Sequence, residues 1–177
     1  EEWAAEHGDR PTLLSDDRAE RLSPTGLAGR AHRWARWTIL HGIGRGERVA
    51  LILANRPERL AAWIGVAETG AVAALLDAAL PPEALAAAIT ATGAAHVVVD
   101  APLLPRFEAA APHLTALAAV WVFGPHPMAY LRIDEALDDL SPERLRPADR
   151  RPVAADDDAL WLVGPDGAVR RLGHRAA

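Results

Sequence analysis

The 177-residue sequence contains no cysteine and no lysine. Without cysteine there are no disulfides and no thiolate metal sites, and the compartment stays open, with the cytoplasm as the default expectation. All 19 basic residues are arginine, a usage that the base composition of a GC-rich genome produces. It has a chemical consequence: no Schiff base, phosphate-loop lysine or catalytic lysine can come from these residues. Only three serines occur, Ser15, Ser23 and Ser141. None sits in a G-x-S-x-G elbow, so nucleophilic hydrolysis has no candidate. No apolar run is long enough to span a bilayer. The net charge is -5, with the basic residues scattered, which argues against nucleic acid as the main partner. The opening Glu-Glu-Trp is neither a signal peptide nor a start methionine, and reads as a trimmed end.

What is present is the composition of a globular α/β domain. Half the residues are apolar and 24% are charged, enough to bury a core and too apolar for disorder. Ser23-Pro24 reads as a helix cap with proline in the first turn. Leu27, Ala31, Trp34 and Thr38 then recur at helical spacing until His41-Gly42. "RVALILA" (48–54) is a near-continuous apolar run, as a buried parallel strand requires. Asn55 with Glu58 suggests a capping box, Pro57 opens the next helix, and Leu60, Ile64 and Ala67 mark its expected inner face up to Gly70. "AVAALLD" (71–77) is the next strand. A helix from Pro81 comes after it, with Leu85, Ala88, Ile89 and Thr92 inward and Gly93 as its stop. "HVVVD" (96–100) and "AVWVFG" (119–124) are further strands, separated by a weaker helix over 103–111. Leu131 to Leu140 fits a short helix. The stretch 141–158, rich in Pro, Arg and Asp, reads as an irregular connection before a final strand. Strands alternating with helices of this length imply a mainly parallel sheet with helices on both faces. The expected organisation is an α/β subdomain over 1–140, the connection 141–158, and a final strand with its loop over 159–177.

Several motifs look chemical and are better read otherwise. Gly42, Gly44 and Gly46 precede a strand, whereas a dinucleotide fingerprint comes after one. The seven histidines lack ligand spacing, and Asp156, Asp157 and Asp158 point different ways along an extended segment, so no metal site is expected. The six tryptophans fall mostly at apolar positions and read as core or packing residues. One stretch stays ambiguous: "ALWLVGPDGAVRRLGHR" (159–175), a strand feeding a glycine turn and then cations, as in many phosphate grips.

Three stretches together resemble the N-terminal part of adenylate-forming acyl-CoA synthetases. They are "LSPTGLAGRAHRWARWTILHGIGRGERVALIL", "ANRPERLAAWIGVAETGAVAALLDAAL" and "PPEALAAAITATGAAHVVVDAPLL". The pattern N-R-P-E, a tryptophan, a glycine and G-A-V-A-A-L stands as Asn55, Arg56, Pro57, Glu58, Trp63, Gly65 and Gly70 to Leu75. The resemblance is strongest to the fatty-acid-transport-protein-like, very-long-chain branch, and runs from about Trp3 to Arg175. It implies a scaffold subdomain of a ligase that uses ATP, Mg and CoA to activate a fatty acid. "DDDALWLV" resembles the strand that approaches the family's Ser/Thr/Gly-rich phosphate loop, and "GHR" resembles the S-H-R segment just beyond that loop.

The loop itself departs from that pattern. Gly164, Pro165, Asp166 and Gly167 replace a longer loop, no hydroxyl remains, and Arg170 or Arg171 stands for the lysine. Gly164, Gly167 and Arg170 are thus the candidate phosphate-binding residues of a degenerate site, with no catalytic residue and no cofactor expected for these 177 residues. Three readings are open: the N-terminal part of such a ligase, inactive alone; a non-enzymatic scaffold or partner-binding module; and a small nucleotide-binding α/β domain. The family's second subdomain is not matched, so a contiguous apolar patch near Leu160 to Val163 is expected, covered by a second copy or a partner protein.

Overall fold

The computed structural model describes residues 13–14, 21–77, 79–114, 119–127, 130–149, 152–164 and 168–175. The first two strands, β1 (Leu13–Leu14) and β2 (Arg21–Leu22), pair antiparallel by themselves. Helix α1 (Pro24–Leu40) begins as the sequence suggests: the Ser23 hydroxyl accepts the Gly26 N–H at 3.0 Å, with Pro24 in the first turn. It ends at His41, and Gly42 turns the chain with φ 68°. The main sheet then builds from β3 (Arg48–Ile52), β4 (Val72–Leu76), β5 (His96–Asp100), β6 (Ala119–Phe123), β7 (Leu131–Arg132), β8 (Asp158–Val163) and β9 (Val169–Gly173). Its spatial order is β7-β6-β5-β3-β4-β8-β9, and every neighbouring pair is parallel except β8 with β9.

Helices cover both faces of this sheet. Helix α2 (Pro57–Glu68) connects β3 to β4, α3 (Pro82–Thr92) carries the chain back to β5, and α4 (Leu104–Ala110) leads on to β6. The short α5 (Ile133–Asp138) comes directly after β7. Successive strand residues alternate between two cores, as the two-residue period of a strand demands. Ala50, Ile52, Val97, Val99, Val122 and Trp161 pack with Leu85 and Ile89 of α3 and Phe107 of α4. Val49, Leu51, Val98, Trp121 and Leu160 pack with Trp34 and Trp37 of α1, Ala62 and Val66 of α2, and Ile133 of α5. The fold is α/β and doubly wound.

Helix α2 departs from its expected details. Its N-cap is Arg56, with no side-chain cap bond, so Asn55 and Glu58 do not form a capping box. Its buried residues are Pro57, Glu58, Ala61, Ala62, Gly65, Val66 and Ala67, while Ile64 is exposed. The helix has turned its smallest residues, rather than its largest aliphatic ones, toward α1. A Cβ built on Gly65 would lie 2.3 Å from the Ala31 carbonyl oxygen and 2.5 Å from the Trp34 Cβ. Close backbone approach selects this face over Leu60 and Ile64.

Among the described residues the apolar patch expected at the final strand is not there. Leu160, Trp161 and Val163 are buried, because β8 is an interior strand between β4 and β9. Among the described residues the exposed large apolar side chains are Leu40, Ile64, Leu131 and Val153, one on each of four separate segments. The connection after α5 lies along α1: Arg33 Nε donates to the Leu140 carbonyl at 3.1 Å, Arg36 donates to the Glu143 and Arg144 carbonyls, and His32 Nδ1 meets the Pro142 carbonyl at 3.0 Å. Among the described residues no helix is long and apolar enough to cross a membrane.

Candidate functional site

In a doubly wound sheet, ligands bind beyond the carboxyl ends of two adjacent strands whose onward connections run to opposite sides. Here those strands are β3, whose chain leaves toward β4, and β5, whose chain leaves toward β6. The crevice between them is filled by the protein's own charges. Asp100, the last residue of β5, is buried, and its carboxylate accepts the Ala54 N–H at 2.6 Å and a bond from the Arg56 guanidinium. Arg56 lies over the Phe123 ring at 4.4 Å from its centroid. Its Nε is buried and unpartnered. Burial pushes the Asp100 carboxyl above the usual aspartate value, and the Ala54 amide and Arg56 draw it part of the way back.

A second buried acid, Glu58, lies two residues after Arg56, in the first turn of α2. Glu58 accepts the indole N–H of the fully buried Trp34 and an Arg30 N–H at 2.9 Å. Beside it is a cavity of about 260 Å³, lined by Arg30, Arg33, Glu58, Phe123, Asp134, Leu137 and Asp138. Its charges are matched internally: Arg30 with Glu58, Arg33 with Asp138, and Asp134 with Arg132. Neither role is announced by the sequence, because Asp100 ends a run of valines and Glu58, though part of the N-R-P-E pattern, reads there as an ordinary first-turn acid. The signal that could have exposed Glu58 is the tryptophan 24 residues earlier, whose N–H needs an acceptor once buried.

The candidate loop joins β8 to β9 as a hairpin. The Gly164 N–H donates to the Ala168 carbonyl at 3.0 Å, closing its base. Gly167 lies outside the described residues. Arg170 is an exposed residue of β9, opposite Leu162. Arg171 faces the other side of the strand and stacks on Trp161, 4.4 Å from the ring centroid, with Arg48 on the same indole at 5.7 Å. The Trp161 N–H donates to Asp158 at 2.9 Å. Gly164 and Arg170 therefore belong to one hairpin, while alternation along β9 sends the two arginines to opposite faces of the sheet. Among the described residues, no cluster of His, Asp or Glu could hold a metal ion.

The described residues thus form a doubly wound α/β domain whose β8 and β9 pair as an antiparallel hairpin. The chain belongs to the AMP-binding enzyme family, whose profile matches residues 1–162. It is 33% identical over 168 residues to a 3-hydroxybenzoate–CoA ligase of Aromatoleum sp. (strain CIB), a match covering 94% of this chain and 31% of that protein. Its fold is similar to the crystal structure of a benzoate CoA ligase from Burkholderia xenovorans LB400, with TM-score 0.82 and 20% identity, over 98% of this chain and 33% of that one. It is also similar to a Mycobacterium tuberculosis fatty acyl CoA synthetase, with TM-score 0.78 and 20% identity, over 98% of this chain and 33% of the other. The chain thus spans about a third of the length of the proteins it matches. Aromatic-acid and fatty-acid ligases both stand among them, so the very-long-chain branch is not singled out.

Proposed function

We propose that these 177 residues are the N-terminal α/β unit of an ATP-dependent ligase that joins a carboxylic acid to CoA, and that they do not adenylate an acid by themselves. The observation that carries the second half is the base of the hairpin. A phosphate loop works through free backbone N–H groups and a cation aimed at the phosphates. Here the Gly164 amide is occupied by the Ala168 carbonyl, and Arg171 lies on Trp161. Pro165 has no N–H, and Asp166 brings a negative charge to a loop that should hold triphosphate. The residues present do not fit ATP at this loop. ATP, Mg and CoA belong to the reaction of the intact family.

The same loop supports the second reading, a scaffold or partner-binding unit beside a complete ligase, in the cytoplasm where ATP and CoA are available. The acid class divides two sources of support. The sequence resemblance favours a long-chain fatty acid, and the identity to a 3-hydroxybenzoate–CoA ligase favours an aromatic one.

Pyrophosphate release and hydroxamate formation should be followed with Mg-ATP and a panel of benzoate, 3-hydroxybenzoate and long-chain fatty acids. The 177-residue chain should give no signal above the blank. A signal with any acid overturns the proposal and names the class. Calorimetry with Mg-ATP and with CoA should likewise show no saturable heat.

A further inference from the structure

Four rings from three elements meet where β5 begins. Trp37 of α1 stands edge-on to Trp121 of β6, with centroids 5.5 Å apart and planes at 89°, and to His96, the first residue of β5, at 6.3 Å. His41, at the end of α1, lies 5.1 Å from Trp37 and 4.7 Å from Trp121. Its Nδ1 is 2.8 Å from the Trp37 carbonyl oxygen, which makes that nitrogen the N–H donor. Trp37 Nε1, Trp121 Nε1 and His96 Nδ1 are all buried without a hydrogen-bond partner. The cluster is held by ring packing alone, apart from the one backbone bond of His41.

We propose that His41 and His96 form a proton-sensitive latch, holding the last turn of α1 to the β5–β6 side of the sheet when neutral and loosening it when both are charged. Two imidazolium rings against one indole pair repel each other in a partly water-excluded site, where charge is costly. His41 is the less enclosed of the two rings. It is exposed and sits at a helix C-terminus, where a positive charge is favoured. His96, half-buried at the start of β5, has no such support for a charge.

The ionisable groups acting on His96 are His41 and, from the turn before β3, Glu47; its register partners on β3 and β6 are Val49 and Ala119. Burial first, then His41, push His96 below the ordinary imidazole value of 6.5, with Glu47 pulling the other way. The folded chain therefore binds this proton less well than the unfolded chain. The contribution to stability is whole above the unfolded value, declines as pH falls through it, and is gone below the folded value.

Histidine ring-proton NMR of the 177-residue chain, with indole fluorescence and amide exchange at residues 38–44, tests the latch across the same pH range. His96 should titrate below 6.5, and the emission and exchange changes should track its midpoint. His41→Gln should move that midpoint upward and flatten the exchange change, and His96→Gln should abolish the acid transition. Should His96→Gln fail to fold, the exposed His41 variant carries the test alone. A His96 midpoint at or above the free imidazole value, or one that His41→Gln leaves in place, overturns the proposal.

Discussion

The α-carbon of Gly65 faces the Ala31 carbonyl so closely that a methyl group there would lie 2.3 Å from the oxygen. Backbone lines both sides of the contact, so neither can yield by rotating a side chain. Gly65→Ala should force α1 and α2 apart and cost about 3 kcal/mol, at the upper end of ordinary overpacking. Urea unfolding monitored by tryptophan emission measures it. A variant as stable as the wild type would show that the helices slide freely.

Glu58 answers a different need in the same layer. Glu58→Ala leaves the Trp34 N–H buried without an acceptor and should cost about 1–3 kcal/mol. Glu58→Gln keeps an acceptor for the indole and should cost visibly less, since Arg30 is partly exposed and regains water. Equal losses for the two variants in chemical denaturation would place the effect in charge rather than in the indole bond.

Asp100 makes a prediction about pH. Its folded-state value is raised above that of the unfolded chain, so the folded state holds this proton more tightly. Its contribution to stability is full below the unfolded value and is lost as pH rises through the folded value. Asp100→Asn, neutral throughout, should therefore gain on the wild type as pH rises from about 4 through this window, then run parallel to it. Paired thermal melts from about pH 3.5 to 7 show the trend, and a variant that loses ground to the wild type as pH rises would contradict it.

Arg171→Ala removes one of the two guanidinium groups on Trp161. The loss of stability should stay near ~0.5–1 kcal/mol, the range for a cation over an indole at an exposed site. Acrylamide quenching of the emission should rise, because the face of Trp161 toward β9 opens. Unchanged quenching would mean that Arg171 does not cover the ring in solution.

How much of this was legible in the sequence depended on where the signal lay. Strands β3, β4 and β5 could be read because burial on both faces leaves unbroken runs such as Ala50 to Leu53 and Val97 to Val99, and their limits moved by at most two residues. The cap at Ser23 and the stop at Gly93 were visible because each depends on one residue's own chemistry. The phase of α2 was not. Contact through Gly65 and Ala61 carries no hydrophobic signal, so Leu60 and Ile64 took the inner face by size. Strand β7 was absorbed into the helix after it, being two residues long. In the candidate site the hairpin at Gly164 was readable as a turn, but the fate of Arg171 was not, since a strand's two faces are assigned only once its neighbour is known. The Asp100–Arg56 pair joins residues 44 apart, and no local pattern announces it.

The crossing held by His32, Arg33 and Arg36 has a consequence for the order of assembly. Strand β7 closes one margin of the sheet, yet β8 must enter near the other, beside β4. Leu75 can meet Leu162 only after the chain has traversed the width of the domain. Pairings so distant along the chain form late, because the entropy of the intervening loop is lost before any contact compensates for it. The β8–β9 hairpin is thus expected to dock last, onto a five-stranded core formed without it. Until that moment the flank of β4 is a bare strand edge, and any chain emerging at that time competes with β8 for it.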